Sequence, residues 1–133
     1  MNASLRRGWV PPALLVGAVY FIIGRGFTLP ADHVQAWRLT AWVFSLAAYT
    51  AHIWYEHFRL RSAPRSTAFH AAVAVAIGAI GLALAGMIHS LSPGAALRPV
   101  WLLALVLWPA FTAIPAFLVA LGIAAVLKRL HSI

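Results

Sequence analysis

Six polar residues recur along one side of the apolar segment 38–59 (RLTAWVFSLAAYTAHIWYEHFR): Arg38, Ser45, Tyr49, His52, Glu56 and Arg59. At about 100° per residue in a helix they fall within roughly 80° of one another. At about 1.5 Å rise per residue the stripe runs about 30 Å, the depth of a bilayer core. Polar side chains facing lipid are costly, so the stripe is expected to face protein, water or a ligand. Glu56 is the only glutamate and Asp32 the only aspartate in the chain. A carboxylate in a spanning helix is a functional-site hypothesis by default, and tyrosine, histidine and glutamate along one face can pass a proton. The candidate relay is therefore Glu56 with His52, Tyr49 and Ser45, and Arg38 is its outer electrostatic element. The plainer alternative puts Glu56 within headgroup reach near a helix end, paired only with Arg59 or His52. A carboxylate there opposes the helix dipole, which speaks for a purpose.

Two further chemistries deserve weighing. Reflecting the second apolar segment onto the third about their short link brings His57 and His70 to similar depth, with His52 a turn deeper. Two histidines and a carboxylate suit iron or zinc, so His52, Glu56 and His70 are expected to converge across the helix pair, with His57 a further metal or haem candidate. The string HIWYEH is neither H-E-x-x-H nor H-x-x-E-H, because one residue too many separates His52 from Glu56. Bis-histidine haem ligation by His57 or His52 with His70 is the other possibility. Adjacent helices lie about 8–10 Å apart, which leaves little room for a macrocycle between two helices on a tight turn. The leading expectation has no cofactor.

The elements that must position these residues are four. Helices are expected over about 11–27, 33–60, 67–89 and 99–130, within one domain covering 1–133. Pro11-Pro12 suit a first turn, Asp32 is a candidate N-cap after Pro30, and Pro64 is expected at the centre of the second turn. The third helix is small on two sides. Ala71, Ala74, Gly78, Gly81 and Ala85 share one face, and Ala68, Ala72, Ala79, Ala83 and Gly86 share roughly the opposite one. Small faces let backbones approach closely in lipid, which makes this helix the central one or an oligomer interface, with Ala74, Gly78, Gly81 and Ala85 as packing residues. Pro109 and Pro115 lie inside the fourth helix and are expected to kink it. At the end away from Glu56, Arg38 and His89 should be level, near His33, Asp32 and Arg98.

Hydrophobic residues make up 63% of the chain and charged residues 9%, far below the quarter usual for soluble domains. So little charge cannot cover that much apolar surface, and the expected fold is an all-α integral membrane bundle of four transmembrane helices. The net charge of +8 could suggest nucleic acid, but the basic residues sit at helix ends rather than on one water-facing surface. That placement suits orientation in the bilayer. With the N-terminus inside, Arg6, Arg7, Arg59, Arg61, Arg65, Lys128 and Arg129 are cytoplasmic, and Arg25, Arg38 and Arg98 lie outside. The bias predicts both termini in the cytoplasm and a multi-pass protein of the inner (cytoplasmic) membrane. The absence of cysteine excludes disulfides and thiolate chemistry. There is no glycine-rich phosphate loop, nucleophile elbow or aspartate pair, which argues against an enzyme of those kinds. The function expected first is transport-like or proton-coupled through the stripe, in an oligomer, because four helices barely enclose a path. An accessory or scaffolding subunit, with the stripe as a seam against a partner, is the alternative; a metal or haem redox protein is third. The expected partners are the bilayer and either further copies or another membrane subunit, not nucleic acid.

Overall fold

The computed structural model describes residues 8–26, 32–91, 94 and 98–132. They form four helices and, among the described residues, no strand: α1 Val10–Gly26, α2 Val34–Phe58, α3 Pro64–Ser90 and α4 Pro99–His131. Two of the starts are set by proline. Pro64 and Pro99 each open a helix behind an extended residue, Ala63 (φ −63°, ψ 150°) and Arg98 (φ −77°, ψ 134°). The residue before proline is pushed to extended backbone, and the proline's missing N–H falls where no helical bond is needed. Pro64 is thus not the centre of the turn, and α3 begins three residues earlier than position 67. Asp32 does not cap α2 either: the N-cap is His33, in the left-handed region at φ 57°, ψ 42°, without a side-chain cap. α4 runs through both Pro109 and Pro115, the first buried and the second exposed.

α3 is the hub, packing most extensively on α4, then on α1, and also on α2. Its two small faces divide this work. On one side Gly78 meets α1, where an added Cβ would lie 2.7 Å from Tyr20 Cβ and 3.2 Å from the Gly17 carbonyl oxygen. Gly17 is crowded in return, since a Cβ there would sit 2.7 Å from Ile77. Gly81 faces Phe21, Ala74 is buried and Ala85 is half-buried. On the other side Gly86 abuts Trp101 of α4 and Ala68 joins Ile53 and Ala120 in the core, which Ala71 enters from the first face. Side chains this small let three helices close around α3 with little volume to fill.

Little apolar surface is spent internally. Trp42 is 76% exposed and Phe111 73%, and large apolar side chains of all four helices point outward. α3 and α4 are long and apolar enough to cross a membrane, and their most apolar 18-residue windows are only 22% and 11% buried. The core helix of a soluble domain would show the reverse. α1 is apolar but has 17 residues, and polar residues interrupt α2.

Candidate functional site: a buried carboxylate at the α2–α3 hairpin

The C-terminal half of α2 lies against the start of α3, and Glu56 sits at their crossing with no solvent exposure. Its local chain holds it from two directions. Past the end of α2 the backbone reverses through Arg61, in the left-handed region at φ 48°, and the Ser62 N–H returns to the Glu56 carbonyl oxygen at 3.1 Å. The same reversal lets the Ser62 hydroxyl donate to Glu56 Oε2 at 2.8 Å. From α3, His70 places Nδ1 2.9 Å from that oxygen. The His70 ring is clamped in turn by Trp9, just before α1, stacked at 4.2 Å between centroids and 3° between planes. One carboxylate therefore ties α2 to α3, and through His70 to the start of α1.

The second carboxylate oxygen is different. Glu56 Oε1 lies 3.7 Å from His52 Nε2, one turn earlier in α2, beyond hydrogen-bond reach. Oε1, both ring nitrogens of His52 and the Thr67 hydroxyl are buried and have no hydrogen-bond partner among the described residues. Buried polar groups are nearly always paired, so Oε1 and the two His52 nitrogens left unpaired at one carboxylate are unusual for a purely structural contact. A carboxylate with an imidazole on each side can hold a proton on any of three groups and exchange it over short distances. Which imidazole nitrogen carries hydrogen at rest follows from the tautomer, and Nδ1 of His70 donates when it is the protonated one.

The rest of the sequence-derived stripe divides along α2. Tyr49 is half-buried and donates its hydroxyl hydrogen to the Ala116 carbonyl oxygen of α4, which ties the deep end of the site to the fourth helix. Ser45 is half-buried, whereas Arg38 and Arg59 are exposed. Glu56, His52 and Tyr49 are brought to the interior; Arg38 is not. Asp32, His33, His89 and Arg98 are all exposed at the other end.

Of the candidate metal or haem set, His52 and His70 stay beside Glu56 and His57 does not. His57 turns to another side of α2, where its ring meets Phe58 at 4.9 Å and His131 of α4 at 5.4 Å between centroids. Among the described residues no three His, Cys, Asp or Glu side chains are grouped to hold a metal ion. The separation follows from helix geometry, because adjacent residues point about 100° apart and Glu56 and His57 cannot share a face.

Sequence reasoning missed Ser62, Thr67 and Trp9. Thr67 could have been found, since it precedes His70 by three residues and shares its helical face. Ser62 could not, because its reach to Glu56 depends on the reversal at Arg61. Trp9 depends on where α1 docks. Tyr20 was also missed: it packs on Gly78 from α1, with its hydroxyl buried and unpaired among the described residues. No known protein family, curated protein or solved structure matches this chain, so the site is interpreted from its own chemistry.

Proposed function

We propose that the chain is a multi-pass protein of the cytoplasmic membrane with four spans and both termini inside, and that it carries a transport-like, proton-coupled activity centred on Glu56. Glu56 takes up and releases the proton. His70 and His52 are its immediate exchange partners, Tyr49 and Ser45 continue the polar face into the bundle, and Arg38 is an outer electrostatic element. The observation that carries this reading is the fully buried Glu56 with one oxygen saturated and the other unpaired beside an equally unpaired His52. A clasp that only held helices together would be expected to saturate both oxygens. The outward apolar surface of α3 and α4 and the seven-to-three distribution of Lys and Arg support the membrane placement. Four helices barely enclose a path, and the working unit in this reading is an oligomer.

Proteoliposomes carrying a pH-sensitive dye test the proposal. The parent protein is expected to carry protons above the rate of empty vesicles, and Glu56→Gln, which keeps size and an acceptor oxygen but cannot ionise, is expected to abolish that flux. Flux in the variant equal to the parent's, or none in the parent, overturns the proposal.

A second reading is supported by a separate observation. Trp37, Leu39, Trp42, Val43, Phe44 and Leu46 are all exposed on the N-terminal half of α2, with Arg38 among them. An apolar surface exposed around half a helix suits a partner membrane subunit, and copurification of a stoichiometric partner with no proton flux favours this accessory role.

A further inference from the structure

A second polar feature adjoins the Glu56 cluster through Ser62, where the α2–α3 hairpin meets the C-terminal turn of α4. A cavity of about 520 Å³ opens there, lined by His57, Phe58, Arg61, Ser62, Lys128 and His131, with Ala63 and Pro64 completing its wall. Four of those side chains are cationic or can become so, and they come from two separate parts of the chain. Arg59, Arg65 and Arg129 flank them in sequence. Side-chain carboxylates that could oppose this charge are few. The chain has ten Lys and Arg but only two side-chain carboxylates. Asp32 precedes α2 at its other end, and Glu56 is fully buried and already engaged by Ser62 and His70. Arg61 and Lys128 therefore face a shared cavity with no side-chain carboxylate to neutralise them.

Two details make this a shaped recess rather than a spread of surface charge. Arg61 takes a left-handed backbone, φ 48°, that a residue with a side chain seldom adopts. α3 also begins at the cavity wall, with Ala63 as an N-cap that has no side-chain cap, so the positive end of a 27-residue helix adds to the field. Cations, an uncapped helix start and the His57 imidazole around one cavity are the chemistry that binds phosphate groups.

We propose that this cavity binds a phosphate-bearing anion, held by Arg61 and Lys128 with His57 as an additional donor. The two sources of that chemistry are an anionic lipid headgroup and a free phosphate compound. The site is independent of proton coupling at Glu56, and the variants that test it leave Glu56, His52 and His70 untouched.

The full chain in phosphatidylcholine nanodiscs is titrated with inorganic phosphate. In parallel, protein reconstituted with phosphatidylglycerol is examined by native mass spectrometry for retained lipid. Binding in the first arm alone identifies a free phosphate ligand, in the second alone a headgroup, and in both the shared chemistry. Absence of binding in both overturns the proposal. The double variant Arg61→Gly, Lys128→Gln is expected to weaken whichever binding is seen by about thirtyfold, the effect of removing two basic residues from an anionic site. Glycine accepts the left-handed backbone at position 61, so the turn is retained. Lys128→Gln alone, at an exposed helical position, is expected to weaken binding about fivefold and serves if the double variant does not fold. Arg98→Gln removes one charge at the opposite end of α4 and is expected to leave binding unchanged. Undiminished binding in the Lys128→Gln variant, or an equal fall in Arg98→Gln, overturns the proposal.

Discussion

The two halves of α2 carry the same polar periodicity and meet opposite fates. From Tyr49 to Glu56 the stripe is turned inward: His52 and Glu56 are buried, and Tyr49 reaches the backbone of α4. From His33 to Leu39 every residue is exposed, Arg38 included. The difference does not come from the helix, which is continuous over both halves. It comes from what lies beside it. α2 packs on α1, α3 and α4, and because α3 starts six residues after α2 ends it returns beside the hairpin end, which is covered. Toward the N-terminal half that cover is lost, and aromatic side chains such as Trp42 look outward. A polar stripe thus becomes a site only where a neighbouring helix closes over it.

Three substitutions along the stripe can break or sharpen this contrast. The largest effect is expected at Glu56→Ala, which removes the acceptor shared by Ser62 and His70 and leaves buried polar groups unpaired. Removing one partner of a buried charged contact costs about 3–5 kcal/mol, so thermal unfolding of the detergent-solubilised variant should occur well below that of the parent. A variant as stable as the parent would show that the inner half is not held by this contact. Tyr49→Phe is expected to cost less, about 0.6 kcal/mol and no more than about 1.7, the range for single interhelical hydrogen bonds in membrane proteins. A loss as large as that of Glu56→Ala would move the centre of the site one helix over, to the α2–α4 contact. The smallest effect belongs to Arg38→Gln. An exposed side chain away from any packed neighbour should leave the unfolding temperature within experimental error, and a marked loss would mean that the outer half is covered in the working assembly.

Much of this was legible before any coordinates. Four helices follow from four apolar segments separated by Pro30, Pro64 and the turn-rich stretch 90–97, and the described helices agree with the expected ones to within three residues at every end. The hub role of α3 follows from its two small faces, because only side chains without bulk let backbones approach on both sides at once. The two starts at Pro64 and His33 were harder, since each turns on backbone dihedral angles rather than on residue type alone. Helical phase could tell that His52 and Glu56 share a face and that His57 does not. It could not tell which of them His70 would meet, because that depends on the rotation of α3 about its own axis. The plainer alternative, Glu56 paired only with Arg59 or His52, illustrates the point: Arg59 is exposed and His52 stands 3.7 Å from Oε1, while Ser62 and His70 take the other carboxylate oxygen.

Residue types and their order determined how many helices form, which of them can approach closely, and that a single glutamate would stand among histidines on an otherwise apolar segment. These are properties of periodicity and side-chain volume, which the chain carries with it into any fold. The tertiary structure alone decided that Ser62 folds back onto Glu56, that Trp9 covers His70, and that Lys128 and His131 come to the same cavity as Arg61. Each of those meetings depends on the angle and rotation at which two helices dock. Many distant side chains set these together, so no local stretch of sequence encodes them.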